Sequence, residues 1–238
     1  RVETIALDAE LSFADGIGAL VREHGVTELA WMRAADRGTD DRIRATCERL
    51  GIGHATVADA MFLTPEADVD AWYAEHEHAR MEDFYRWQRQ RTGILMHGDA
   101  PAGGQWNYDH DNREPLPKGG IAVPPLPQPR HDDLTRATID EVRARFPDHP
   151  GDARDLWLPV TRRSALAWLQ RFVDERLHDF GRYEDAMHRD KPVLFHAVIT
   201  PMLNVGLLHP HEVVDAVVER GGDVPLASLE GFVRQVIG

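Results

Sequence analysis

The residues best suited to chemistry lie in one loop, 103–117, which reads GGQWNYDHDNREPLP. Trp106 and Tyr108 offer aromatic faces, and Asp109 and Asp111 place two carboxylates beside them. Carboxylates two apart can approach a hard cation, but the loop lacks the Gly and distal Glu of a calcium-loop pattern. A metal-dependent hydrolase would need further ligands that the sequence does not place. Local turns, with Trp106 fixing the loop to a domain, are the commoner use of such residues.

Five histidines are the other candidates for chemistry. His76 and His78 are two residues apart, so on a helix they point about 200° away from each other and cannot share a metal. His209 and His211 flank a proline that can start a helix, which favours solvated positions. His196 lies in an apolar stretch that we interpret as helical, where a buried imidazole needs partners. It is either a satisfied core residue or a cofactor contact.

Composition limits the class of protein. The 238 residues, 42% of them hydrophobic, favour one or two soluble domains. The net charge of −13 argues against broad affinity for nucleic acids. Cys47 is the single cysteine, so the chain can form no internal disulfide and cannot hold a metal cluster. With no apolar run of membrane-spanning length and no leader pattern, we expect a cytoplasmic protein.

The first third of the chain alternates strand and helix patterns. Residues 2–7, 28–32 and 54–58 are short apolar runs typical of strands. A helix is predicted from Ser12 to a stop at Gly25, and a second from about residue 40 to residue 50. Strands separated by helices predict a parallel sheet with covering helices.

The middle of the chain predicts a long helix followed by a connector. Thr64 caps the helix and Pro65 is its first residue, and the pattern continues to a stop near Gly93. Residues 98–130 hold seven of the fifteen prolines. Neither helices nor central strands tolerate that density, so we interpret this stretch as an interdomain connection.

After Pro159 the periodicity is helical throughout. Four apolar stripes mark the predicted helices: Leu166, Leu169, Phe172, Val173 and Leu177; residues 194–205; residues 213–218; and residues 232–237. The fold class is therefore α/β followed by all-α, with divisions at residues 1–97, 98–159 and 160–238.

Three stretches together carry a resemblance to a known family. They are GGQWNYDHDNREPLP, FGRYEDAMHRDKPVLFHAVITPMLNVGLLHPHEVV and LEGFVRQVIG, in this order. They resemble the iron–sulfur bacterial cryptochromes and photolyases, the prokaryotic (6-4) photolyase type, across the whole chain. The resemblance implies an internal piece of a longer protein. Residues 1–97 would be a truncated Rossmann-like antenna domain, 98–159 the connector, and 160–238 the N-terminal part of a helical FAD-binding domain.

The function implied by the resemblance is light-driven electron transfer from reduced flavin to a (6-4) photoproduct in ultraviolet-damaged DNA. The implied cofactors are FAD, a lumazine-type antenna and a four-iron cluster whose cysteines are not in this chain. The catalytic residues are expected downstream of Gly238. We therefore expect this piece alone to be inactive and the parent protein to be monomeric.

The resemblance implies flavin contacts for individual residues of this chain. Residues 199–201 (ITP) resemble the LSP motif of the wider superfamily, so Thr200 takes the place of a phosphate-binding serine. His196 and Ala197 stand where that superfamily has hydroxyl residues, so the local phosphate contacts differ. The resemblance also assigns Tyr183 to one side of the flavin cavity and makes Asn204 a further contact.

Four more residues are assigned near the lesion. Arg234 and Gln235 lie on the helix that faces flavin and lesion in the family. The family also implies a divalent cation such as Mg²⁺ close to the lesion, with Asp109 and Asp185 as its predicted ligands. A cryptochrome-type blue-light receptor and a remnant without cofactor are the alternatives to a repair enzyme.

Overall fold

The computed structural model describes residues 12–34, 36–128 and 130–238. The first of two compact units ends at Pro65 and the second begins at Glu66. The predicted domain limits at residues 97 and 159 both fall inside the second unit, and that division stays a prediction. The predicted strand at residues 2–7 lies outside the described residues.

Two helices and two strands form the described part of the first unit. They are α1 (Phe13–His24), β1 (Glu28–Met32), α2 (Arg37–Leu50) and β2 (Gly53–Val57). The strands pair in parallel, with Ala30 opposite Ala55. This confirms the predicted parallel arrangement of these two strands, and β2 lies one residue earlier than expected.

Capping residues define the helices of this unit. The Ser12 hydroxyl accepts a hydrogen bond from the backbone N–H of Asp15, and Gly25 ends α1 in the left-handed region. Helix α2 begins three residues before the predicted start at residue 40, because Asp36 caps it by accepting from the Thr39 N–H at 2.8 Å. The predicted bounds of α1 are therefore confirmed, and the predicted start of α2 is corrected.

The predicted long helix between Thr64 and Gly93 is two helices, α3 (Glu66–Glu75) and α4 (Met81–Thr92). The break allows Trp72 of α3 to contact Phe84 of α4, with ring centroids 5.1 Å apart. In one continuous helix, twelve residues would separate these side chains by about 18 Å. Aromatic packing therefore overrides the helical pattern between the two segments.

The proline-rich stretch is irregular but not free of structure. The short antiparallel pair β3 (Met96–His97) and β4 (Ala100–Pro101) forms across its start, and two 3₁₀ turns follow at residues 102–104 and 109–111. Helix α5 (Asp133–Arg145) lies in the segment predicted as a connector. It forms just after the last proline of that stretch, and Asp132 caps it by accepting from the Thr135 N–H at 2.8 Å.

The rest of the second unit is helical, as predicted. Its helices are α6 (Arg162–Glu175), α7 (Leu177–Phe180), α8 (Thr200–Asn204), α9 (Pro210–Glu219) and α10 (Leu226–Ile237). Phe172, Phe180 and Phe232 meet in its core, with ring centroids between 4.7 and 6.0 Å apart. Leu166 is a small correction to the first stripe, since 40% of it is exposed.

The predicted helix over residues 194–205 is wrong for its first six residues, and only α8 is helical. The carbonyls of this segment bond to side chains instead of to a helical backbone. Trp168 donates its indole N–H to the Ala197 carbonyl at 2.8 Å, and Arg176 donates to the Leu194 carbonyl. His196 therefore lies in an irregular segment and not in a helix.

None of the helices in the described ranges combines the length and the apolar character that crossing a membrane requires.

Candidate flavin-facing site

The loop at residues 103–113 is tied to distant helices. The buried Tyr108 donates its phenol to the Ala102 carbonyl at 3.1 Å and its backbone N–H to Glu230 of α10, also at 3.1 Å. The guanidinium of Arg89 lies 5.4 Å from the Trp106 ring and donates to the Trp106 carbonyl. Trp106 thus fixes the loop, as one interpretation of the sequence held.

The polar residues of the loop do more than form local turns. Asn112 is buried and donates its amide to the Ala227 carbonyl at 3.1 Å. A Cβ atom at Gly231 would lie 2.9 Å from that amide nitrogen. Glycine at this position therefore allows α10 to approach the loop closely, which places the loop and the last helix in direct contact.

Asp109 and Arg234 form a two-pronged ion pair between the loop and α10. Nη1 of Arg234 lies 2.9 Å from Oδ2 of Asp109, and Nη2 bonds to the other carboxylate oxygen. Paired N–H donors of this kind match a carboxylate in geometry as well as in charge. These hydrogen bonds from Arg234 hold the pKa of Asp109 below its ordinary value.

Glu230 lies one turn before Arg234 on α10 and is fully buried. Its carboxylate accepts from the Tyr85 phenol at 2.9 Å and from the Tyr108 N–H, and it lies 3.4 Å from Nε of Arg234. Burial raises the pKa of Glu230, although these donors favour the ionised form. Burial together with the charge of Glu230 raises the pKa of Tyr85 as well.

Arg113 lies among three acidic side chains. Its Nε is 3.0 Å from Glu184 and 3.3 Å from Asp185, and its Nη2 is 3.6 Å from Asp109. The backbone of Arg113 has a φ of 63°, in the left-handed region. Its N–H donates to the Gly181 carbonyl at 3.1 Å, which holds the residue in that conformation. Strained residues of this kind concentrate at functional sites.

Glu184 links several predicted residues. Its carboxylate accepts from Arg113 and, at 3.2 Å, from the amide of Gln235. Its backbone carbonyl lies 2.9 Å from Nε2 of His196. A carbonyl only accepts, so this nitrogen carries the hydrogen. The predicted residues Gln235 and His196 therefore meet through a residue that the sequence analysis did not single out.

Tyr183 forms an aromatic wall with its neighbours. It is buried, and its ring stacks on Phe195 with centroids 5.4 Å apart and an angle of 28° between the planes. Leu194 completes a buried apolar cluster with these two rings. Tyr183 directly precedes Glu184 in the chain, so the apolar wall and the charged network are adjacent.

Thr200 and Asn204 lie apart from this network. Both are exposed, at the two ends of the short helix α8. A small depression, partly open to solvent, lies beside His196 and Ala197. The depression is lined by Leu126, Pro127, Trp168, Arg171, Phe172, Arg176, His196 and Ala197.

The predicted cation ligands are already paired with arginines. Arg234 contacts both oxygens of Asp109, and Arg113 contacts Asp185, of which 66% is exposed. Within the described ranges, no three His, Cys, Asp or Glu side chains are arranged to hold a metal ion. The donor set in this arrangement does not fit a divalent cation, and the metal role of the two aspartates stays a prediction.

Comparisons with known proteins place this chain in a family. The chain belongs to the family described as deoxyribodipyrimidine photo-lyase-related protein, whose model matches residues 1–157. It is 39% identical over 189 residues to the (6-4) photolyase of Agrobacterium fabrum (strain C58 / ATCC 33970), covering 76% of this chain and 36% of that protein. The predicted family is therefore confirmed.

Two further matches are to a viral protein and to a solved structure. A protein of Acanthamoeba polyphaga mimivirus is 43% identical over 58 residues, which cover 23% of this chain and 45% of that one. The crystal structure of a bacterial class III photolyase from Agrobacterium tumefaciens matches with a TM-score of 0.53 and 18% identity, over 95% of this chain and 42% of that one. The structural match supports the fold, a mixed and mainly helical architecture with a small parallel sheet.

The residues that join the network were not found from sequence. Glu230 is a single acidic residue in an apolar stretch, Glu184 directly precedes another acid, and Arg113 follows an acidic loop. The signal that was available for Glu230 is its position at i−4 from Arg234, which predicts a pair on one helix face. That signal gives no indication of full burial or of Tyr85 as a partner.

Proposed function

We propose that the complete protein containing this chain is a light-driven, flavin-dependent enzyme that repairs (6-4) photoproducts in ultraviolet-damaged DNA. The 39% identity to a protein named (6-4) photolyase, over 76% of the chain, carries the proposal. The match to a class III photolyase fold agrees with it. Because the chain spans 36% of that curated relative, we assign the activity to the complete protein and expect the 238-residue chain alone to be inactive.

FAD would supply the chemistry when bound, by donating an electron to the damaged base after the reduced flavin absorbs light. The donors of the second unit fit such a cofactor. Arg234 and Gln235 offer guanidinium and amide N–H groups, and the buried Nε–H of Arg234 has no hydrogen-bond partner among the described residues. The exposed hydroxyl of Thr200 suits a phosphate oxygen, and the exposed amide of Asn204 is a further contact.

The remaining assigned residues shape the cavity wall. Tyr183, stacked on Phe195, would close one side of the flavin cavity with an apolar face that excludes water. His196 donates from Nε2 to the Glu184 carbonyl, which leaves Nδ1 as an acceptor toward a ligand. The Asp109 carboxylate holds Arg234 in position at the edge of the site.

The proposal for the complete protein also includes an antenna domain, to which the first unit belongs, and a four-iron cluster. We assign the parallel pair β1–β2 to a truncated Rossmann-like antenna domain that holds a lumazine-type pigment. A four-iron cluster needs four thiolates, and the chain has only Cys47. The cluster ligands would therefore come from sequence outside this chain.

The test is a repair assay on the protein encoded by the complete reading frame that contains this chain. An oligonucleotide with one (6-4) photoproduct is incubated with the purified protein under blue light and in the dark. We expect the original bases to be restored in the light only. Bound flavin that changes its spectrum in light without any repair would favour a photoreceptor, and a colourless folded protein would contradict the proposal.

A further inference from the structure

Glu230 is a fully buried acidic residue that the flavin contacts proposed above do not use. Burying a carboxylate is unfavourable unless hydrogen bonds and a countercharge replace water. Glu230 accepts hydrogen bonds from two segments, through the Tyr85 phenol of α4 and the Tyr108 N–H of the loop. Nε of Arg234 lies 3.4 Å from its carboxylate, an ion pair without a hydrogen bond.

The position of Glu230 in the chain explains why these contacts matter for Arg234. Glu230 precedes Arg234 by four residues, so both side chains lie on one face of α10. Arg234 contacts Glu230 with Nε and Asp109 with its two terminal nitrogens. The guanidinium thus lies between two carboxylates: Asp109 of the loop holds it by two hydrogen bonds, and Glu230 of its own helix attracts it by charge.

We propose that Glu230 is a positioning residue, which fixes the Arg234 guanidinium toward the flavin and holds the loop so that Asp109 meets it. This inference rests on the proposed function, because that function makes Arg234 a flavin contact. Glu230 does two things at once, since it orients the arginine directly and also anchors the backbone of Tyr108, the residue before Asp109.

Other charged groups face this pair and enter any test of it. Arg89 of α4 is buried beside Tyr85 and acts on Glu230, and Glu184 acts on Arg234. On the loop side, Arg113 and His110 act on Asp109. Their charges stay the same when Glu230 alone is changed, so they cancel in a comparison of wild-type and variant chains.

The first experiment measures the pKa of Asp109 in the 238-residue chain, by ¹³C NMR titration of labelled aspartate carboxyl groups. In Glu230→Gln, removal of a nearby negative charge by itself would lower the pKa of Asp109. If Glu230 positions Arg234, the arginine leaves Asp109 and the pKa rises toward the ordinary aspartate value. The two explanations therefore predict opposite signs. A fall or no change would overturn the proposal.

Two further variants keep the test decisive if Glu230→Gln does not fold. Glu230→Asp keeps the charge but draws the carboxylate back by one methylene. If Glu230 positions Arg234, the pKa of Asp109 should again rise, whereas an effect of charge alone predicts no rise in that pKa. Tyr85→Phe is the matched control, because it removes one hydrogen bond to Glu230 and leaves its contact with Arg234. We expect it to shift the pKa of Asp109 less than either Glu230 variant does.

A second readout separates this inference from the proposed function. In the complete flavin-loaded protein, the flavin absorption spectrum is compared in Arg234→Gln and Glu230→Gln. We expect both variants to shift it in the same direction. A shift in the Arg234 variant alone contradicts the role of Glu230 only. No shift in either variant, with the NMR result as expected, contradicts the flavin contact but not the positioning of Arg234.

Discussion

The two units each bury an acidic residue, and they use it differently. Asp40 in the first unit accepts from the Trp31 indole at 2.9 Å and from the Ala34 N–H at 3.0 Å, partners nine and six residues away. Glu230 in the second unit accepts from residues 145 and 122 positions away. One acid closes a local turn, whereas the other joins three distant segments.

The pKa values of the two acids shift in opposite directions. The backbone hydrogen bond from Ala34 and the indole of Trp31 lower the pKa of Asp40, whose side chain remains 10% exposed. Burial raises the pKa of Glu230 in spite of its donors. The buried acid of the first unit thus depends on local contacts, whereas that of the second unit belongs to a charged network that joins distant segments. Four changes test this contrast, from the largest expected effect to the smallest.

Gly181→Ala should be the most destabilising change. The new Cβ would lie 2.5 Å from Oδ1 of Asn112 and 2.8 Å from Cα of Ser228, so the backbone must shift, at a cost of about 3 kcal/mol. Gly51→Ala in the first unit is the control, since nothing lies within 4 Å of its Cβ and only the left-handed φ of 67° costs about 1 kcal/mol. Urea unfolding followed by circular dichroism measures both, and equal losses would refute the contrast.

Glu230→Gln should destabilise the second unit by about 1–3 kcal/mol, because the amide group cannot accept from both Tyr85 and Tyr108 and leaves a buried donor unpaired. Asp40→Asn is the matched change in the first unit. Its donors lie close to the surface, where water can replace the lost acceptor, so a smaller effect is expected. Thermal unfolding of both variants measures the difference, and a larger loss in the Asp40 variant would reverse the comparison.

Glu212 gives a pH-dependent test outside the network. Hydrogen bonds from Arg162 lower its pKa to about 2, from an ordinary value of 4.5, with a contribution from the His209 N–H. A lowered folded-state pKa contributes stability above pH 4.5, and this stability is lost as the pH falls toward about 2. The pair is partly exposed, so Glu212→Gln should lose roughly 1 kcal/mol or less at pH 7.

The measurement for Glu212 is urea unfolding of the wild-type and variant chains at several pH values. The two stabilities should converge as the pH approaches 2. A difference that persists undiminished at that pH would mean that the ionised carboxylate is not the stabilising group.

Helix caps should contribute about equally to stability in both units, so the contrast between the units does not extend to them. Ser12→Ala at the start of α1 and Thr161→Ala at the start of α6 each remove a side-chain acceptor and should cost about 1 kcal/mol. Glu23→Ala, an exposed change on α1, should stay within about 0.5 kcal/mol. Chemical denaturation of the three variants tests this, and a cap effect in only one unit would contradict it.

The same contrast explains which features the sequence could predict. Ser12, Gly25 and the alternation of strands and helices act through neighbours in the chain, and the first helix and the parallel pairing followed from them. The break between α3 and α4 depends on contacts such as that of Trp72 with Phe84. The irregular segment at 194–199 depends on hydrogen bonds from Trp168 and Arg176. Such contacts leave no periodic signal, so both segments were predicted as helix.

The candidate site shows the same limit. Asp109, Arg234 and Gln235 were assigned through family resemblance, and the structure joins them through Glu184 and Glu230. Neither of these acids stands out in the sequence, because each depends on partners more than 50 residues away. The roles of the assigned residues toward flavin remain proposals.

The central claim is that this chain is part of a flavin-dependent photolyase whose second unit contacts FAD. The most direct test is the absorption spectrum of the purified product of the complete reading frame, recorded before and after a reductant is added. We predict a flavin band that bleaches on reduction, and a shift of that band in Arg234→Gln but not in the exposed control Glu23→Ala. A folded, colourless protein, or full flavin content in the Arg234 variant with an unchanged spectrum, would contradict the account.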